Sequence, residues 1–211
     1  MTITPMFPLG SVLLPGGALP LHVFEPRYQQ LVTDCLNSDS APQFGQVLIA
    51  RGREVGGGDT RHGVGVLAEI VAHVEVGQGQ HALDCRGRER IRILNWLDDD
   101  PYPRAEIELW PDTNDGPVEP GFHNFAARIA ELYGLLEQLA GRQDMPVPEL
   151  PTLGGVSETP ALHLYQLADC LPLGEVDRYR MLSAPGVKER AEVLSDALEG
   201  LIEVAEFGLI D

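Results

Sequence analysis

The segment Val64 to Val76 constrains the fold more than any other stretch, because Val64, Val66, Ala68, Ile70, Ala72, Val74 and Val76 recur at every second residue. Successive side chains of a β-strand point to opposite faces, so this period of two describes a long strand with one apolar side. Gly77-Gln-Gly-Gln80 suits a reversal, and a two-residue turn at Gln78-Gly79 sets the register of the return strand. In that register Val74 stands opposite Leu83, Ala72 opposite Cys85 and Val66 opposite Ile91, while His73 meets Asp84 and Glu69 meets Arg88 on the other face. Two residues fit poorly: His81 shares the apolar face near the turn and Glu89 points inward further along. A bulge or a buried partner is expected there.

The neighbouring segments extend this β character. Met6-Phe-Pro-Leu9 and Ala18-Leu-Pro-Leu-His-Val-Phe24 read as short strands around the turn Pro15-Gly-Gly17, and Phe44 to Ala50 as another. Between them, Glu25 to Leu36 takes helical spacing, and the glycine-rich run Gly52 to Gly58 reads as a loop. A breaker-rich join, Pro111-Asp-Thr-Asn-Asp-Gly-Pro117, ends the β-rich part. The expected division is therefore a mainly β domain over residues 1–115 and a helical subdomain over 116–211. In the second, Phe122, Phe125, Ala126, Ile129, Leu132, Tyr133, Leu136 and Leu139 form a helical stripe, and Ser157 is placed to cap a helix carrying Leu164, Leu167 and Leu171. A last helix is expected from Val187 to Phe207, with Ala191, Leu194, Leu198 and Ile202 on its apolar side and Glu189, Glu192, Glu199, Glu203 and Glu206 among its polar positions.

Composition removes several function classes. The 211 residues are 44% hydrophobic, ample for a core, and carry a net charge of −17 from 15 basic and 32 acidic residues. That charge opposes attraction to phosphate backbones, so nucleic acid is not an expected partner. No run of about 18 apolar residues occurs, and Met1 to Gly10 holds no basic stretch, so neither a membrane span nor a secretory leader is expected and the reading is cytoplasmic. Cys35, Cys85 and Cys170 are odd in number and widely spaced, which suits small buried hydrophobes better than disulfides or metal ligands.

The motifs offer little catalytic or cofactor chemistry. Gly63-Val-Gly-Val-Leu-Ala68 has the spacing of a dinucleotide fingerprint but lies inside a strand, where no helix opens to receive a pyrophosphate. Lys188, the single lysine, sits in Pro185-Gly-Val-Lys-Glu189 without the glycine spacing of a P-loop. Ser183 precedes it by five positions and reads as a helix-start serine. The six histidines show no metal-ligand spacing, Asp98-Asp-Asp100 reads as a solvated turn, and His73 with Asp84 lacks a nucleophile. No metal, no cofactor and no catalytic residue is expected. Arg86, Arg88, Arg90 and Arg92 alternate along one strand face, and they are the best local candidates for contact with an anion, against the plainer role of pairing with nearby carboxylates.

Several segments in order resemble one family. Phe7-Pro-Leu-Gly-Ser-Val-Leu-Leu-Pro-Gly-Gly-Ala-Leu-Pro-Leu-His-Val-Phe-Glu-Pro-Arg-Tyr28 is similar to the opening of the amino-terminal substrate-recognition domain of Lon proteases. Gly63-Val-Gly65 and the long hairpin that follows, running into Cys85-Arg-Gly-Arg-Glu-Arg-Ile-Arg-Ile93, resemble its central hairpin, with Gly87 and Arg90 at the matching Gly-x-x-Arg positions. Leu167-Ala-Asp-Cys-Leu-Pro-Leu173 and Val187-Lys-Glu-Arg-Ala-Glu-Val-Leu194 resemble its helical portion. The resemblance implies an α+β fold, a PUA-like β-barrel followed by an α-helical bundle.

It also implies a non-catalytic module that binds unfolded protein, peptide segments or degradation signals, in company with a protease or chaperone. Proteolysis is not carried over, because the 211 residues hold neither an ATPase nor a Ser-Lys protease module. Phe24, Tyr28, Trp96 and Trp110, aromatics near strand ends, are the peptide-binding candidates. Three alternatives stay open at this point: a docking scaffold for one folded partner, a small hydrolase built on His73 and Asp84, and an RNA-binding module.

Overall fold

The computed structural model describes residues 2–52, 54, 58–113, 124–143, 145–146 and 159–210. Two compact units emerge, Met1–Pro111 and Asp112–Asp211. The first contains β1 (Thr2–Leu9), β2 (Ala18–Val23), α1 (Pro26–Leu36), β3 (Gln43–Arg51), β4 (Thr60–Gly77), β5 (Gln80–Leu97) and β6 (Arg104–Leu109). The second contains α2 (Phe125–Gln143), α3 (Pro160–Asp169), α4 (Glu175–Ser183) and α5 (Val187–Ile210). The class is mixed α+β. Phe122 and Ser157, the expected stripe and cap residues, lie outside the described residues.

The expected β-barrel is corrected. The strands form one six-stranded sheet in the order β2-β5-β4-β3-β1-β6, with β5 pairing β6 as well along its second half. They are too unequal to act as uniform staves: β4 and β5 have 18 residues each, β2 and β6 only 6. Each short strand covers part of the long pair, β2 along His81–Arg86 of β5 and β3 along Thr60–Glu69 of β4. The sheet curls over its core but keeps β2 as an edge strand and lets the end of the hairpin project beyond β3.

Both faces of the central strands are covered. Met6, Val47, Ile91, Ala105 and Ile107 make one buried cluster. On the opposite face Phe7 stacks on Tyr28 of α1 at 4.0 Å between ring centroids, with Phe44 5.7 Å from Phe7. Helix α1 starts at Pro26, whose fixed φ and missing N–H suit a first helical turn, and it buries Tyr28, Leu31, Val32 and Cys35. Covering both faces turns Met6 to Leu9 into a continuous apolar run instead of an alternating one.

The hairpin turns where its sequence says it should, with Gly77 opposite Gln80 and left-handed φ values of 55° at Gln78 and 73° at Gly79. Its register then departs from the expected one. A bulge between Glu75 and Gly77 places Val74 opposite Ala82, His73 opposite Leu83 and Ala72 opposite Asp84. A second, between Ile70 and Ala72, brings Ile70 opposite Cys85, and a third sets Val66 opposite Arg90 and Gly65 opposite Ile91. Each bulge inserts a residue on one strand only, so every pair beyond it shifts. Burial of the alternating stripe stops at Ile70, and Val71, Val74 and Val76 are more than half exposed. Glu89, expected to point inward, is exposed because the third bulge falls at Arg88-Glu89.

In the second unit α5 is the element against which α2, α3 and α4 all pack. Its Ala191, Leu194 and Leu198 are fully buried, as are Ile129 of α2 and Ala168 of α3. Ser183 ends α4 instead of starting a helix, with its hydroxyl donating to the Arg180 carbonyl. No described helix is long and apolar enough to cross a membrane.

Candidate functional site

The edge strand β2 forms where the loop before it crosses β5. The N–H of Gly16 donates to the carbonyl of Gly87 and the N–H of Gly87 to that of Gly17, both at 2.9 Å. A Cβ at Gly87 would overlap the Leu14 carbonyl oxygen, so the close crossing requires glycine there. This gives a physical reason for the glycine of Gly87-x-x-Arg90. Pro20 is tolerated in β2 because an edge strand needs no donor on its open side.

Two hollows flank this strand. One, of about 120 Å³, is lined by Phe7, Leu9, Leu21, Val23, Phe24 and Tyr28 with Glu25 and Glu54 at its polar side. The other, of about 430 Å³, lies over Pro20, His22, His73, Val74 and Asp84. A third cavity, of about 510 Å³, opens elsewhere beside the first residues of β1, between Ile3, Leu67 and Leu109. The second hollow contains His73 and Asp84 but no hydroxyl or thiol side chain, so the hydrolase alternative finds no nucleophile among the residues around it.

The four candidate aromatics do not converge. Phe24 is 52% exposed at the rim of the smaller hollow, with the ring of His22 6.2 Å away. Tyr28 forms the floor of that hollow; only 3% exposed, its hydroxyl is pushed up to about 12 by burial, with the charge of Arg27, 4.5 Å over the ring, opposing that rise. Trp96 packs against the Met6 cluster beneath the guanidinium of Arg61, and Trp110 lies under Arg90 and Arg92, each 4.4 Å from its ring centre. Of the four, Phe24 and Tyr28 share a cavity.

The arginine series is split by the bulge at Arg88-Glu89. Gly87 faces the loop at Leu14, on the Gln46 side of the sheet, whereas Ile91 belongs to the opposite cluster with Val47. Both are odd-numbered, so the phase reverses between them and the four arginines do not form one ladder. Arg86 donates to the Gly16 carbonyl at 3.1 Å, Arg88 meets Glu69 at 2.5 Å, and Arg92 lies 3.9 Å from Glu108. Arg90 is buried against Trp110, whose backbone N–H donates to the Arg90 carbonyl at 2.8 Å. Among the described residues, no three His, Cys, Asp or Glu side chains gather as metal ligands.

The family model described as the ATP-dependent protease La (LON) substrate-binding domain matches residues 3–200. The chain belongs to the LON substrate-binding domain family. Lon protease 2 of Myxococcus xanthus is 28% identical over 173 residues, which is 80% of this chain and 20% of that protein. Lon protease 2 of Herpetosiphon aurantiacus is 26% identical over 210 residues, 96% of this chain and 24% of that protein. The LON domain thus spans about a fifth to a quarter of these relatives, and within the 211 residues there is no ATPase or protease module. A crystal structure of a Lon N-terminal domain protein from Xanthomonas campestris superposes with a TM-score of 0.66 at 28% identity, covering 93% of this chain and 98% of that one. The N-terminal domain of a Mycobacterium avium complex Lon protease shares the fold, with a TM-score of 0.58 at 18% identity over 94% of this chain.

Sequence reasoning selected Phe24 and Tyr28 but not His22, Leu21 or Val74, which line the same edge. The exposed valines were legible only as core residues, because period two cannot say where a covering strand ends.

Proposed function

We propose that this LON-type chain is a non-catalytic recognition module that binds exposed apolar segments of unfolded protein or peptide at the β2 edge, with Phe24 as the principal contact. The observation that carries this reading is a large aromatic side chain 52% exposed at the rim of an apolar hollow, with exposed Val74 lining the second hollow that flanks the same strand. Large apolar side chains clustered on a surface are commonly interaction sites. The family description as a substrate-binding domain points the same way. In this reading the partner is an unfolded or peptide segment, passed on to a protease or chaperone in the cytoplasm. Nucleic acid and membrane surfaces are disfavoured by the net charge of −17.

The test is fluorescence anisotropy of a labelled, permanently unfolded protein titrated with the full chain without nucleotide, at low and moderate salt. Saturable, salt-tolerant binding in the micromolar range that Phe24→Ala weakens is the expected result. Absence of binding up to about 100 μM would sink the reading, since a useful transient contact is tighter than that.

A second reading, docking to one folded partner, is favoured by α5, whose outward Val204 and Phe207 are 72% and 65% exposed, next to Glu203 and Glu206 respectively.

A further inference from the structure

The backbone of β2 has a definite polarity. Both the N–H and the carbonyl of Gly87 are bonded toward the loop that leads into β2. Alternation along the uninterrupted pairing Ala18↔Arg86 through Val23↔His81 then turns the backbone groups of Cys85, Leu83 and His81 toward β2. Their partners Leu19, Leu21 and Val23 bond back to β5, and the groups of Ala18, Pro20 and His22 point away from the sheet. Pro20 provides an independent check: lacking an N–H, it occupies one of the outward positions, where no ladder bond is lost. Among the described residues β2 pairs with β5 alone. The open side presents two donors, the N–H groups of Ala18 and His22, and three carbonyls. The two donors are four residues apart, about 13 Å at the rise of an extended strand.

The hollows sit on the two sides of this edge, so an added strand would send alternate side chains over one and then the other. The charged residues that line them are Glu25, Glu54 and Asp84, and no arginine or lysine does so. We infer that β2 is a strand-addition site, on which an extended apolar segment flanked by basic residues docks by main-chain hydrogen bonds to Ala18, Pro20 and His22. The inference rests on the peptide-binding reading above and adds its geometry. Main-chain bonding accepts many sequences, which is what capture of unfolded chains needs, and the hollows add a preference for apolar side chains. Pro20 limits the edge to two donors, which disfavours continued addition of strands.

The experiment uses the full chain and a fluorescein-labelled peptide, Lys-Val-Thr-Val-Thr-Val-Lys, with two variants N-methylated at alternate amides of opposite parity. Strand addition predicts that one parity loses about tenfold or more in affinity, because its amides face β2, while the other stays within about threefold of the parent. His22→Pro should weaken the parent peptide to a similar extent, and clearly more than His22→Ala, which loses the ring but keeps the N–H. Circular dichroism shows whether His22→Pro is folded, and the methylated peptides decide the matter if it is not. Replacing both lysines by glutamate should weaken binding at low salt. Equal effects of the two parities would overturn strand addition and leave apolar binding intact. Binding of the unfolded protein without binding of the peptide would also overturn it. Failure of both probes would remove the peptide-binding reading itself.

Discussion

The guanidinium of Arg190 meets the carboxylate of Asp112 through two hydrogen bonds of 2.6 and 3.0 Å, from a side chain with no solvent exposure. It also donates to the Met181 carbonyl and stacks over Tyr165 at 4.2 Å. Burial, the largest single influence, would lower the affinity of this guanidinium for its proton, but Asp112 and Tyr165 together outweigh it, and the pKa is raised. The first residue of the second unit is thereby tied to α3, α4 and α5.

Asp112→Ala leaves the Arg190 charge buried without its carboxylate, and is expected to cost about 3–5 kcal/mol of stability. Arg190→Leu combined with Asp112→Ala should recover part of that loss. Urea unfolding followed by α-helical circular dichroism measures both, and equal stability of Asp112→Ala and the parent would show that the ion pair contributes nothing.

The buried thiols give a pH dependence. Burial pushes Cys35 and Cys85, 4% and 2% exposed, up to about 12 from the ordinary 9.0. These groups stay protonated in the folded protein while the unfolded chain loses their protons, so the unfolded state binds fewer protons and stability falls as pH rises from 9.0 toward 12. Each thiol contributes a slope of about 1.4 kcal/mol per pH unit in that window. A Cys35→Ala, Cys85→Ala variant should show a flatter loss between pH 9 and 11 in chemical denaturation, whatever its stability at pH 7.

Gln78 adopts a φ of 55°, in the left-handed region that strains most side chains, at the first position of the two-residue turn. Gln78→Asn should stabilise the protein by roughly 0.5 kcal/mol, since asparagine tolerates that conformation best among non-glycine residues. A rise in thermal midpoint is the expected sign, and an unchanged midpoint would place the turn outside the cooperative unit.

Phe24 and Tyr28 should separate binding from stability. Tyr28→Ala removes a buried ring stacked on Phe7 and is expected to cost about 3–5 kcal/mol. Phe24→Ala alters an exposed ring and should change stability by less than about 0.5 kcal/mol while weakening binding of unfolded protein several-fold. Thermal melts beside anisotropy titrations of both variants provide the comparison.

The sequence by itself determined the local elements wherever one physical rule dominated. Period-two valines specified β4, Gln78-Gly79 specified the turn, Pro26 opened α1, and the stripe of Ala191, Leu194 and Leu198 specified α5. Less was legible where a pattern was short. Strand β6 carries only Ala105, Ile107 and Leu109 as its alternating set, and α4 contributes just Met181 and Leu182 to the buried core.

Tertiary structure decided everything that depends on what lies across the chain. The alternating valines extend to Val76, yet their burial ends at Ile70, because β3 pairs with β4 no further than Glu69 and no described residue buries the stripe beyond. The four arginines are evenly spaced in sequence, but one extra residue at the Arg88-Glu89 bulge sends them to different faces. Phe24 and Tyr28 are four positions apart and chemically alike, and one is a surface contact while the other is core. Periodicity reports the direction of a side chain relative to its own strand or helix. Whether that direction ends in protein or in water is set by partners distant in sequence, and here by which stretch of each long strand its shorter neighbours cover.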